Sequence, residues 1–408
     1  MEAYMKRSLV AAALLVTALH SQAFSQKSYG PGVTDTEIKI GQTVPYKGPL
    51  SALAIFGRVE VAYFRKINET GGINGRKVTL ISLDDAFSPP KTVEQTRKLV
   101  EDDRVLAIVG STGTPTNLAT VKYLNTNKVP QILILASSPK LHDPENLPWT
   151  TTFFMSQAVE TKFYADYLLN SKPAAKVAVL YQNDDLGKGN VTAFRTALGA
   201  KASGMIVREA AYDVMDPTVD SQIVALKASG ADTLFHASSP KFAAQSIRKA
   251  HELGWSVEHI LLSGVSDIPT VLRPAGLEAS RGAVTARWIK SIDDPTWADD
   301  PAVKDYLAFL KQWMPGETND DPSAILAYST AQMIEEVLRR CGDDLSRENL
   351  LKQATNVRDL QLPMFLPGVR VNISPGDRIP WRQARMARFD GSRWVFFGDI
   401  VGVSTSTD

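Results

Sequence analysis

From Glu37 onward, short runs that are apolar on both faces alternate with stretches whose apolar residues recur every three or four positions. The runs at residues 37–44, 77–83, 105–109, 131–136, 176–181, 233–236 and 260–263 read as parallel strands covered on both sides. The intervening stretches read as amphipathic helices. Residues 51–68 set Leu53, Phe56, Val59, Tyr63 and Ile67 on one face, and Gly71-Gly72 end that helix. Residues 89–100, 116–125, 190–198, 221–228 and 240–253 keep the same period. Alternation of this kind predicts an α/β protein with mostly parallel sheets flanked by helices.

Two such series, 37–136 and 176–263, are separated by residues 138–171, which hold Pro139, Pro144, Pro148 and Trp149, so two lobes are expected. Beyond Gly282 come a further strand at 283–289, an acidic loop from Asp293 to Pro301, and helices at 302–314 and 322–340. The chain closes with an expected hairpin, 386–389 and 393–398, around Asp390-Gly391.

The N-terminal segment stands apart from this pattern. Lys6 and Arg7 precede an apolar run at 9–19, and Ser21 and Ala23 supply the small residues of a cleavage site. This is the layout of a secretory signal, residues 1–23, and it predicts an exported protein. A helix over that run reaches only about 16 Å against about 30 Å of hydrocarbon, so it is too short for an anchor. With Cys341 as its single cysteine, the exported chain forms no internal disulfide and is held by its cores. Lys+Arg number 45 and Asp+Glu 44, giving a net charge of +1. That balance provides no sustained field for nucleic acid or for an anionic membrane surface, and neutral partners or small solutes are favoured instead; a monomer is expected.

The sequence contains no Gly-x-Ser-x-Gly elbow, phosphate-cradling loop, cysteine pair or His-x-x-x-His, so no enzyme, metal site or cofactor is expected. Asp84-Asp85 follows a strand and could ligate a cation, although acidic pairs at strand ends more often cap the next loop. The prolines and Trp297 of the acidic loop fit a solvated connection better than a calcium loop.

Ligands of open α/β sheets bind outside the carboxyl ends of the strands, so the residues just after each strand carry the most information. After the strand at 105–109 the chain reads Gly110-Ser111-Thr112-Gly113-Thr114-Pro115. Thr114 is expected to cap a helix whose first residue is Pro115, turning hydroxyls and free amides toward an acceptor such as a carboxylate. Ser137 and Ser138 add two hydroxyls at the neighbouring strand end. In the second series Asn183, Leu186 and His236 hold equivalent positions facing the first. Capping without a ligand, and a core role for His236, remain the alternatives.

A resemblance emerges from several of these stretches together. They are Gly41 through Gly48-Pro49, Ile67-Asn68-Glu69-Thr70-Gly71-Gly72-Ile73-Asn74-Gly75-Arg76, Asp84-Asp85, Val109-Gly110-Ser111, and Tyr181 through Gly189. From about Glu37 to the C-terminus the chain resembles the periplasmic Leu/Ile/Val-binding protein family, the solute-binding components of ABC importers of the hydrophobic amino-acid uptake type. The resemblance implies a two-lobed type I binding protein with three hinge crossovers. Residues 30–155 with 286–366 would form one lobe, and 156–285 with 367–403 the other. It also implies a solute clamped in the cleft, and an ABC permease and ATPase subunits as partners.

The family's carboxylate-binding hydroxyls fall on Thr114 and on Ser137 or Ser138, and a cleft aromatic falls on Tyr328. Where the family has an aromatic in the first loop this chain has Leu53, or Phe56 a turn later, and Leu186 replaces a tyrosine. Val265 occupies the position of the acid that pairs with the amino-acid ammonium. An unpaired ammonium in a closed cleft costs several kcal/mol, more than a few methylene contacts at ~0.8 kcal/mol each restore. Unless Asp267 reaches in, a hydrophobic or aromatic carboxylate is expected, with branched-chain amino acids as the family default. Two rivals are a secreted sensor with the same cleft, and a hydrolase using Ser137 or Ser138 with His236 as base.

Overall fold

The computed structural model describes residues 27–316 and 322–404; the expected signal segment, 1–23, lies outside the described residues. Five parallel strands form one sheet, in the order Lys77–Asp84, Glu37–Val44, Ile108–Val109, Gln131–Ile134 and Thr150–Thr152. Ile38, Ile40, Ile132 and Ile134 are buried within it, as the two-sided apolar pattern requires. The strand expected at 105–109 narrows to Ile108–Val109, yet backbone pairing continues ahead of it. Leu106 donates its amide to Lys39, and Gly41 donates to Ala107.

The second sheet repeats the order with Ile206–Tyr212, Val177–Gln182, Thr233–Ala237, Glu258–Leu261 and Val284–Arg287, all parallel. Gln383–Phe389 and Trp394–Gly402 then extend it as an antiparallel pair. In each sheet the second strand in the chain lies outside the first, and the third lies on the first strand's other side. Such a reversal of strand order opens a crevice at the strands' carboxyl ends.

Ala54–Glu69 packs on Pro322–Cys341 beside the first sheet, and Gln157–Ser171 packs on Asp185–Leu198 beside the second. The chain passes between the sheets three times, after Thr150–Thr152, after Val284–Arg287 and before Gln383–Phe389. This is the two-lobed, thrice-crossed α/β architecture that the alternating pattern and the resemblance predicted.

Some boundaries differ. The stretch at 138–171, read as a separator, contains the strand Thr150–Thr152 and the helix Gln157–Ser171. Its prolines are confined to the turn before them, where they do not interrupt either element. Ile206–Tyr212 was not anticipated because it is an edge strand with exposed Val207 and Arg208, which breaks the apolar run. No helix among the described residues is long and apolar enough to cross a membrane.

Candidate binding site between the lobes

A cavity half open to solvent, about 700 Å³ with its mouth included, lies where the carboxyl ends of both sheets face each other. The first lobe contributes Leu53, Phe56 and Phe87, with Thr112, Thr114 and Ser137. The second contributes Leu186, Asn190, Ser238, Ser239 and Val265. Glu160, from the helix just after the first crossing, completes the wall.

Each position follows from local chemistry. Asp84 takes the amides of Tyr46, Lys47 and Ala86 on one carboxylate oxygen and pairs with Lys91 through the other. Asp85 takes the amide of Phe87 and the hydroxyl of Thr92. The aspartate pair therefore caps the loop that delivers Phe87 to the cavity.

The helix after Ile108–Val109 runs Thr114–Thr126, one residue earlier than expected, with Gly113 rather than Thr114 as its N-cap. Gly113 has φ 108°, and a Cβ there would stand 2.5 Å from Thr116 Oγ1 and 2.6 Å from Phe87 Cε2. Only glycine fits that conformation in that space. Thr114, released from capping, accepts the Ser137 amide on its hydroxyl at 3.4 Å.

In the second lobe, Ser239 precedes the helix Pro240–Glu252. Neither this helix nor Thr114–Thr126 has a side chain capping its first turn. Two electropositive helix starts thus open on one cavity from opposite lobes. Around them, Thr112 Oγ1, Ser238 Oγ and Asn190 Oδ1 are buried without a hydrogen-bond partner among the described residues. Buried polar atoms are ordinarily satisfied, so these groups bring unused hydrogen-bonding capacity to the cavity from both lobes.

Glu160 is the one ionisable side chain in the cavity wall among the described residues. It is 2% exposed, and burial raises its carboxyl above the usual carboxylate range. The Ser263 amide at 2.6 Å and the Tyr164 hydroxyl at 2.8 Å, both donating to Oε1, counter that rise in part.

Leu53, Phe56, Thr112, Thr114, Ser137, Leu186 and Val265 are brought together around this cavity. Four expected residues lie elsewhere. Ser138 caps the short helix Pro139–Leu141 by accepting the Lys140 amide, and it borders an outer groove instead. Asn183 is exposed and donates to Asp213. His236 is fully buried between Ser246 and His259, 3.0 and 2.9 Å away, and burial holds it well below the usual imidazole range. It does not line the cavity and is not placed to serve Ser137 as a base.

Tyr328 sits in an aromatic cluster with Phe309, Tyr63 and Tyr306 at ring distances of 4.9, 5.3 and 5.3 Å. The helix Pro322–Cys341 is buried on most sides, so its spacing alone did not distinguish the side facing the cleft. Asp267 does not line this cavity; it accepts the Ser323 hydroxyl at 2.8 Å.

Residues 37–393 match the periplasmic binding protein family. Among curated relatives, Leu/Ile/Val-binding protein homolog 3 of Brucella melitensis is 26% identical over 79% of this chain and 84% of its own length. A branched-chain amino acid ABC transporter protein of Thermus thermophilus, solved with bound valine, superposes with a TM-score of 0.80. That match has 17% identity and covers 91% of this chain and 98% of the other. An ABC transporter solute-binding protein of Rhodopseudomonas palustris, solved with 3,4-dihydroxybenzoic acid, gives a TM-score of 0.74 at 21% identity, covering 90% and 97%. The chain belongs to the periplasmic binding protein family.

Proposed function

We propose that the chain captures a small hydrophobic carboxylate between its lobes and presents it to an ABC permease and its ATPase subunits. The observation carrying this reading is the pairing of an apolar wall with two uncapped helix starts and orphaned hydroxyls, with no lysine or arginine in the wall among the described residues. An anion there is held by dipoles and hydroxyls, and the solute body replaces water against Leu53, Phe56, Phe87, Leu186 and Val265.

Residues 30–155 with 286–366, and 156–285 with 367–403, act as the two lobes; sheet membership favours moving the second boundary to just after Arg287. Either lobe alone offers half a site. A solute touching both stabilises the closed form by its added contacts, and the permease reads that form. The signal segment 1–23 directs export, the protein works as a monomer without a cofactor, and no chemical step is performed.

Glu160 favours a second reading, in which the solute is an amino acid and this carboxylate pairs with its ammonium. Val265 supplies no acid, and burial disfavours a charged Glu160, so the carboxylate reading leads. Calorimetric titration with 4-methylpentanoate and with leucine, the same carbon skeleton with and without the ammonium, tests the choice. Tighter binding of 4-methylpentanoate supports the proposal; binding of leucine alone supports the second reading.

A further inference from the structure

A second, smaller hollow, partly open to solvent, adjoins the first, and Phe56, Phe154 and Gly264 line both. It sits at the hinge, where Arg287 ends the strand Val284–Arg287 and Trp288 begins the crossing back to the first lobe. Arg287 is 4% exposed. Its Nη2 donates to Ser291 Oγ at 3.1 Å, while Nε and Nη1 have no acceptor among the described residues. Trp288 Nε1, in the same wall, has none either.

The guanidinium lies 5.8 Å from the centre of the Trp394 ring. Asp267 and Asp293 act on it electrostatically, partly offsetting the cost of its burial. Asp267 lines this chamber too, so an incoming acid shares the guanidinium with it; its Oδ2 accepts the hydroxyls of Ser323 and Thr270. A buried arginine with idle donors is costly unless an anion completes it, and its planar fork suits a carboxylate.

We propose that this chamber is a subsite for a second carboxylate, held by Arg287 and Trp288 Nε1, so that the whole site takes an elongated solute acidic at both ends. The inference rests on the carboxylate reading above and narrows its substrate class to dicarboxylic acids. One acid group meets the helix starts and hydroxyls of the first chamber. The apolar body crosses between Phe56 and Phe154, and the second acid group reaches the guanidinium.

The test titrates the full-length mature protein calorimetrically with matched pairs, hexanoate against adipate and 4-methylbenzoate against terephthalate. At least one diacid is expected to bind ten-fold or more tightly than its partner, and Arg287→Gln is expected to bring that ratio to about one. Arg287→Lys, which keeps the charge and loses the fork, should fall between. Diacids that bind no better than monoacids overturn the inference while leaving the carboxylate reading in place, and equal weakening of both by Arg287→Gln also overturns it. If the glutamine variant does not fold, the ratio in the native protein and its reduction in Trp288→Phe decide. Failure of all four acids to bind removes the carboxylate reading and this inference together.

Discussion

The hydroxyl of Thr114 accepts the backbone amide of Ser137 at 3.4 Å, tying together the ends of two adjacent strands at the floor of the cavity. A solute carboxylate that draws on the Thr114 hydroxyl therefore meets a group already oriented by the neighbouring strand. Thr114→Val should weaken carboxylate binding by about 1–3 kcal/mol, because a buried acceptor is left unsatisfied. Unchanged affinity in a calorimetric titration would remove Thr114 from the site.

Glu160 gives a sign to the pH dependence. Burial already raises its carboxyl, and an anionic solute beside it raises it further, so acid binding is coupled to proton uptake. Affinity for a monocarboxylate should fall as pH rises through the Glu160 titration, and Glu160→Gln should flatten that profile and strengthen binding at neutral pH several-fold. An ammonium-bearing solute reverses the slope. Affinity rising with pH in the native protein would contradict the carboxylate reading.

Tyr328 belongs to the core rather than the cleft. Tyr328→Ala should cost about 3–5 kcal/mol of stability by emptying the space among Phe309, Tyr63 and Tyr306. The folded fraction should bind solute as the native protein does. A loss of affinity with native stability in chemical denaturation would return Tyr328 to the site.

What the sequence made legible follows from where a position's environment depends on near neighbours. Strand-end motifs such as Thr112-Gly113-Thr114 and Ala136-Ser137 carry their chemistry locally, and both reach the cavity. Tyr328 and His236 lie in elements buried on nearly every side, where periodicity loses the contrast between inward and outward faces. Glu160 and Arg287 also leave a trace in the sequence. Each is a charged residue in an otherwise apolar or uncharged context, Val159-Glu160-Thr161 in a buried helix face and Ala286-Arg287-Trp288 at a strand end. Buried charge at a crossing between lobes is costly, and that cost was the available signal.

His142, half-buried with its Nε2 against the Thr152 hydroxyl, should make the fold acid-sensitive. Burial lowers His142 to about 4, so the folded protein binds fewer protons than the unfolded chain between that value and about 6.5. Its contribution is fully present above pH 6.5 and is lost as pH falls toward 4, up to about 3 kcal/mol. Glu60 and Glu160, with raised carboxyls, act in the opposite direction. The variant comparison isolates the histidine: His142→Gln should narrow the stability gap between pH 7 and pH 4.5, measured by denaturant unfolding. An equal gap in both proteins would contradict this.

The central claim is that an anionic, largely apolar small molecule closes the two lobes on one another. Small-angle scattering of the mature protein, with and without saturating hydrophobic carboxylate identified by thermal shift, measures this directly. The account predicts a smaller radius of gyration with the acid and none of that change with its primary amide. Equal compaction by acid and amide, or no compaction by any bound acid, would contradict it.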